Sequence, residues 1–374
     1  MELRQNPEWE LLKLISVRSH RPEDPELSRL IADTRLDFES LVALGIRHAL
    51  SGALSEFLRR SNLWAILPQG MANHMNDLRL WSKCKSDLHI QESLTLLQLF
   101  EEADLRVAFA KGVSLAADVY DGTTVRQFND IDIMIDAADR EPARLVLERA
   151  GYDWSSEVDW QTDSMIPRPR RESAVYRLYP DHFPHLFRPT GMDHLPFINV
   201  DVAFSVTWNR SVWQWPIEGV MSRLGSIEVT HRGSAVRLPK MSPVDAWIHL
   251  ISHTFRDGFF VNPRKDLKLS QFADVNLFWE KYGFGMKEEL TSIIDSERMG
   301  PLMGWVCSHT DDLFGSNIVD ELRIRDFAED EWKHTVRSDG GAYLVWSGSM
   351  DDRLQLGTVP SGQSVNQPKF AYNV

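Results

Sequence analysis

Cysteine is scarce in this chain: two occur in 374 residues, Cys84 and Cys307. They lie far apart and make no zinc-type spacing, which leaves a reducing cytoplasm as the expected compartment. No run of about eighteen apolar residues occurs, as a membrane-spanning helix requires, so no membrane span is expected. The opening Met-Glu-Leu-Arg-Gln-Asn-Pro-Glu lacks the basic start and apolar centre of a secretory signal. Positive charge is also short. Lys and Arg total 41 against 54 Asp and Glu, a formal net charge of -13 with a pI near 5.4. That balance excludes broad, nonspecific nucleic-acid binding, which relies on neutralising phosphates, and leaves room only for a local basic patch. What is present is ordinary for a globular protein, 43% hydrophobic and 25% charged. The length suffices for two or three domains with ample core. Thirteen tryptophans are many for this length, and Trp208, Trp213 and Trp215 cluster as an expected apolar or base-stacking wall.

The chemistry concentrates in three short strands. Leu105 to Ala110 reads as a strand ending at Lys111-Gly112, and Ile131-Asp132-Ile133-Met134-Ile135 as a second. Period two puts Asp130 and Asp132 on one face of it, with Ile131 and Ile133 on the other. Two carboxylates so placed repel each other unless a cation sits between. The hard cation that suits oxygen ligands and keeps positions open for phosphate is Mg²⁺. Phe197-Ile-Asn-Val-Asp-Val-Ala-Phe supplies a third acid, Asp201, in an apolar strand where burial is costly unless the acid is paired or bound to metal. Three acids on neighbouring strands are expected to hold one or two Mg²⁺ ions and a nucleoside triphosphate.

Lys111-Gly112, then Arg126-x-x-x-Asp130-Ile-Asp132, then Val200-Asp201-Val202 resembles the uncharacterised bacterial nucleotidyltransferase family of the polymerase-β-like superfamily. Arg144-Leu-Val-Leu-Glu-Arg-Ala-Gly151-Tyr152 fits the helix that ends in Gly-Tyr in that family. The resemblance covers roughly residues 90 to 285. It departs from the broader signature where Gly is followed directly by Ser, because Ser114 here stands two residues after Gly112. The resemblance implies an α+β fold, a small mixed-sheet core flanked by N-terminal and C-terminal helical regions.

The expected organisation is a helical region over 1–104, a catalytic core over 105–225 with an irregular insertion over 153–196, a helical domain over 240–333 and a loosely ordered tail over 334–374. Gly45 is expected to stop a helix, 173–179 to form a strand within the insertion, and Gly225 to Pro239 to be a linker. Arg79, Lys83 and Lys85 read as a solvated face. Arg168, Arg170 and Arg171 either meet an anionic substrate or lie on an exposed loop. Asp245, His249 and His253 follow at i, i+4 and i+8 on one helical face, either as the His-x-x-x-His helix of related enzymes or as packed histidines. A zinc site there is the weaker reading, because position 250 is Leu.

The implied activity is Mg²⁺-dependent transfer of a nucleoside monophosphate, AMP from ATP, with release of pyrophosphate. Asp130, Asp132 and Asp201 are the candidate metal ligands and catalytic residues. Lys111, Gly112, Ser114, Arg126, His253, Lys265 and Lys268 are the candidate nucleotide ligands. A small molecule, peptide or protein is the expected acceptor ahead of tRNA. Two other classes stand beside this reading: a non-catalytic nucleotide-binding protein on the same fold, and a metal-dependent hydrolase built on the His249/His253 helix.

Overall fold

The computed structural model describes residues 6–18, 27, 36–61, 63–120, 125–171, 174, 176, 181–208, 211–261, 266–359, 362–365 and 368–371. The chain is α+β and divides into two compact units. One comprises Met1–Leu80, Thr124–Arg126 and Trp247–Val374, and the other Trp81–Thr123 and Gln127–Ala246. Among the described residues, no helix is long and apolar enough to cross a membrane.

The first unit begins with helices α1 (Pro7–Arg18), α2 (Phe38–Arg47) and α3 (Ser51–Arg60). Asp37 caps α2 by accepting from the Glu39 and Ser40 amides. Gly45 does not stop α2, which runs on to Arg47. Its missing side chain serves packing instead, since a Cβ there would lie 3.1 Å from Leu54 of α3. The 34-residue helix α4 (Gln69–Glu102) follows, and the division between the units falls within it, after Leu80.

The second unit is built on a mixed sheet that, among the described residues, has six strands, which run across it as 186–192, 195–203, 131–134, 108–109, 234–240 and 225–231. Strand β1 (Ala108–Phe109) is only two residues long, shorter than the sequence predicts, because the chain turns at once into helix α5 (Lys111–Asp118). After β2 (Ile131–Met134), helix α6 (Arg140–Arg149) carries Pro142 in its first turn, where a missing N–H costs nothing. Gly151 takes φ +87° just beyond it. The segment expected as irregular holds a hairpin, β3 (Ser156–Asp159) with β4 (Ser164–Pro167), and then sheet strand β5 (Leu186–Met192). Of the strand expected over 173–179 only Ala174 and Tyr176 are described, and both are helical.

Strand β6 (Leu195–Ala203) runs parallel to β2 and antiparallel to β5. After the short helix α7 (Ile217–Ser222), the stretch expected as a linker is a second hairpin, β7 (Gly225–His231) and β8 (Ser234–Lys240), turned at Arg232-Gly233. Ile227 and Val229 alternate with exposed Glu228 and Thr230 along β7, so one face packs and the other is wet. Ile90, Leu96 and Phe100 of α4 pack in the same core as Ile131, Ile133, Val200 and Val202 of β2 and β6. Each such side chain stabilises the unit by about 1.5–3 kcal/mol.

Helix α8 (Pro243–Phe259) opens with Ser242 as a cap and Pro243 at its first position, as the sequence predicts. The rest of the first unit contains α9 (Leu269–Ser296) and α10 (Gly300–Phe314), with an aromatic core in which Trp305 meets Phe255 and Phe259 edge-on. The stretch expected as a tail holds β9 (Thr335–Arg337), β10 (Tyr343–Trp346), α11 (Met350–Leu356) and β11 (Gly362–Val365). It is tied in by Arg353, which donates to the Gly258 carbonyl and covers the Trp346 ring.

Candidate active site

The parallel register of β2 and β6 sets Asp132 directly opposite Asp201. Neighbouring strands lie about 4.8 Å apart, so the fold holds two carboxylates side by side in a largely apolar sheet. Asp132 is buried at 7% exposure, and Asp130, half-buried, stands in the bend just before β2. Above them α5 begins. Its N-cap is Ala110, which offers no side-chain acceptor, so no side chain caps the first-turn amides. Gly112 and Ser114 stand in that first turn. A Cβ on Gly112 would lie 3.3 Å from the Asp130 carbonyl oxygen and 3.3 Å from Phe128, so glycine lets α5 sit this close to the acid-bearing bend without either neighbour giving way.

Lys111 opens α5 with φ +32°, a left-handed conformation that strains a non-glycine residue by about 1–3 kcal/mol. What holds it is electrostatic. Its ammonium lies 2.7 Å from Asp132 Oδ1. Burial works against the charge, but Asp132, Asp201 and Asp130 together outweigh it and hold the Lys111 pKa above its ordinary value. Lys111, a nucleotide ligand by the sequence reading, here stands as a counter-charge against the acids.

Asp201 Oδ1 is buried and has no hydrogen-bond partner, a costly state for a carboxylate oxygen and the kind of orphan a bound cation would satisfy. Among the described residues no three His, Cys, Asp or Glu side chains are gathered tightly enough to hold a metal ion. The orphaned Asp201 oxygen fits a cation in donor chemistry, while Asp132 is held by the Lys111 ammonium and the three acids are not drawn together as a ligand set.

A residue the sequence reading passed over joins them. His185, just ahead of β5, has its Nδ1 buried without a hydrogen-bond partner. Burial lowers its pKa, while the charges of Asp201 and Asp132 pull the other way. The only signal was its place in the His182-Phe-Pro-His185-Leu-Phe-Arg188 stretch. Arg168 fixes this neighbourhood by donating to the Ser156 and His185 carbonyls, so its role is structural, while Arg170 and Arg171 are exposed. Lys85 is no solvated residue either: it donates to Asn129 at 2.5 Å. Burial lowers its pKa, against the pull of Asp130. Nor do the three tryptophans form a free wall. Trp213 is buried against Trp208, and Trp215 donates to Asp245.

The remaining sequence candidates belong to the other unit. Arg126 makes a two-pronged ion pair with buried Asp274, at 2.8 and 2.7 Å. His253 Nδ1 lies 3.3 Å from Asp257, which also accepts from Gln271. Lys268 is the N-cap of α9, its amide donating to Gln271. Lys265 lies outside the described residues. Asp245 at the head of the expected acid–histidine face is wholly buried and bound by Arg223, Trp215 and Ser242, which makes it a structural anchor of the second unit.

The α+β architecture and the family resemblance of its acid strands place the chain among the nucleotidyltransferases. It belongs to the uncharacterised nucleotidyltransferase family, whose model matches residues 34–298, more than half of the chain. No curated protein and no solved structure matches it.

Proposed function

We propose that the protein transfers a nucleoside monophosphate, AMP from ATP, to a hydroxyl acceptor, on a site of the polymerase-β-like kind. The observation that carries this is the Asp132–Asp201 register, two carboxylates abreast with Asp130 one bend away. Asp130, Asp132 and Asp201 would hold two Mg²⁺ ions, which supply charge neutralisation for the triphosphate and for the attacking oxygen. The uncapped first turn of α5, at Gly112 and Ser114, offers backbone N–H donors to phosphate. In the transfer the acceptor oxygen bonds to the α-phosphorus, the bond from that phosphorus to the bridging oxygen breaks, and pyrophosphate leaves. Asp201, whose Oδ1 is unpartnered, takes the hydroxyl proton. Lys111, beside these acids, would add its positive charge to the triphosphate end of the site. The acceptor is a small molecule, peptide or protein, and the setting a bacterial cytoplasm.

Calorimetric titration with each of the four ribonucleoside triphosphates in Mg²⁺, on wild type and on the Asp130→Ala/Asp132→Ala double variant, tests the reading. Binding that requires both the metal and the acids supports it, and the preferred base names the donor. Asp132→Asn is expected to abolish pyrophosphate release while leaving the circular dichroism spectrum unchanged. Full turnover by that variant refutes the metal assignment, and nucleotide binding without pyrophosphate release by the wild type points to a non-catalytic binder.

A further inference from the structure

Away from the acid face, the second unit contains a cavity of about 860 Å³. Its walls are the start of α4 in this unit, the β5–β6 turn and the β7–β8 turn. Its volume falls within the range of small-molecule sites. The lining separates by chemistry. Trp81, Leu88, Met192 and Leu195 make an apolar body, and two of them are displayed to solvent, Trp81 at 36% and Met192 at 52% exposure. Around this body stand Lys83, Lys85, Arg232, His194 and His231. The one acid in the lining, Asp87, is already paired with Lys83 at 2.6 Å. With Lys83 and Asp87 cancelling, Lys85 and Arg232 remain as positive charge over one apolar hollow in a chain of net charge -13. Large apolar side chains left open under one sign of charge mark a ligand site more than a solvated face.

We propose that this cavity binds an amphipathic organic anion: a small molecule with an aromatic or aliphatic body and one carboxylate, sulfonate or phosphate group. The body lies on Trp81, Leu88 and Leu195, and the anion meets Arg232, which donates to Gln91 at a long 3.3 Å. Lys85 ties the site to the catalytic bend, because it lines the cavity and holds Asn129, the residue before Asp130. The inference concerns binding alone and stands whether or not the acids transfer nucleotides.

A matched pair of fluorescent probes tests it: 8-anilinonaphthalene-1-sulfonate, an aromatic anion, and its uncharged relative N-phenyl-1-naphthylamine. Cys84 reports the location. It lines the cavity and is exposed, whereas the other cysteine, Cys307, is buried. The sulfonate is expected to bind the full-length protein saturably and to slow alkylation of Cys84 by N-ethylmaleimide at least threefold. Arg232→Glu, at an exposed hairpin turn, should weaken the sulfonate at least tenfold while leaving the neutral probe within twofold. Leu195→Trp should fill the hollow and abolish binding of both. Asp132→Asn should bind the sulfonate as wild type does, which keeps this result separate from the nucleotide titration. Sulfonate binding that leaves Cys84 unprotected, or that survives Arg232→Glu at full strength, overturns the proposal. Arg232→Glu and the Cys84 protection decide the matter even if Leu195→Trp does not fold.

Discussion

Replacing Lys111 by methionine keeps the length of the side chain and removes the charge that the acid cluster depends on. At 2.7 Å from Asp132 Oδ1, and with an effective dielectric near 20, the gross attraction is about 6 kcal/mol. Much of it offsets the desolvation of both groups, so the informative quantity is the cost of removing one partner of a buried ion pair, about 3–5 kcal/mol. For a unit of this size that loss lowers Tm by roughly 6–20 °C at pH 7. Without the ammonium the buried Asp132 carboxylate is easier to protonate in the folded state, so the variant's stability should rise as pH falls from 7 to 5, narrowing the gap to wild type. The wild type carries the opposite limb. Lys111 has its pKa raised in the folded state, so its contribution is full below its ordinary pKa of about 10.5 and is lost as pH rises through the raised value. Adding Asp132→Asn to Lys111→Met should recover part of the loss, since neither charge is then stranded. Differential scanning calorimetry across pH reads all of this. A single variant whose Tm at pH 7 stays within a degree of wild type refutes the reasoning.

Gly112→Ala forces its new methyl against Phe128 and the Asp130 carbonyl at 3.3 Å; we expect a loss of about 1–3 kcal/mol in a denaturation curve, together with slower pyrophosphate release as the acid-bearing bend shifts. Arg126→Ala leaves Asp274, 3% exposed, without its two-pronged partner, and chemical denaturation should show a cost of about 3–5 kcal/mol. His48 and His89 are held neutral by burial, with pKa values of about 4. Their depressed pKa values mean that stability is full above about pH 6.5 and falls as pH drops toward 4, by up to about 3 kcal/mol for each. His48→Gln and His89→Gln should each flatten that acid limb in a Tm-versus-pH series.

The acids were legible because a carboxylate inside an apolar, β-branched run has few structural reasons to be there; Asp132 and Asp201 are such residues. Their pairing was not, since no local pattern states which strand lies beside which or in what register. Lys111 was readable as a charge near acids or phosphate, but its choice of Asp132 follows from the strained start of α5, which only coordinates reveal. The β7–β8 hairpin read as a linker because Gly225, Gly233 and Pro239 punctuate it; proline cannot donate to a ladder, yet β8 meets β1 only at Lys240, where the constraint does not apply. His185 gave no periodic signal at all. It comes within the electrostatic field of the acids from a segment without regular structure, its carbonyl held by Arg168.

The Asp132–Asp201 pairing joins strands separated in the chain by helix α6, the β3–β4 hairpin and β5. It is a contact of high sequence separation, and such contacts slow folding because a long loop must close before any pairing energy is returned. Here the closing step also brings like charges together, so the barrier has an electrostatic part in addition to the entropic one. Lys111 comes from β1's side of the sheet, a neighbour of β2 in sequence, and can neutralise Asp132 before β6 arrives. The lysine thus compensates, from the locally connected β1–β2 part of the sheet, one of the two carboxylates that the long-range pairing sets side by side.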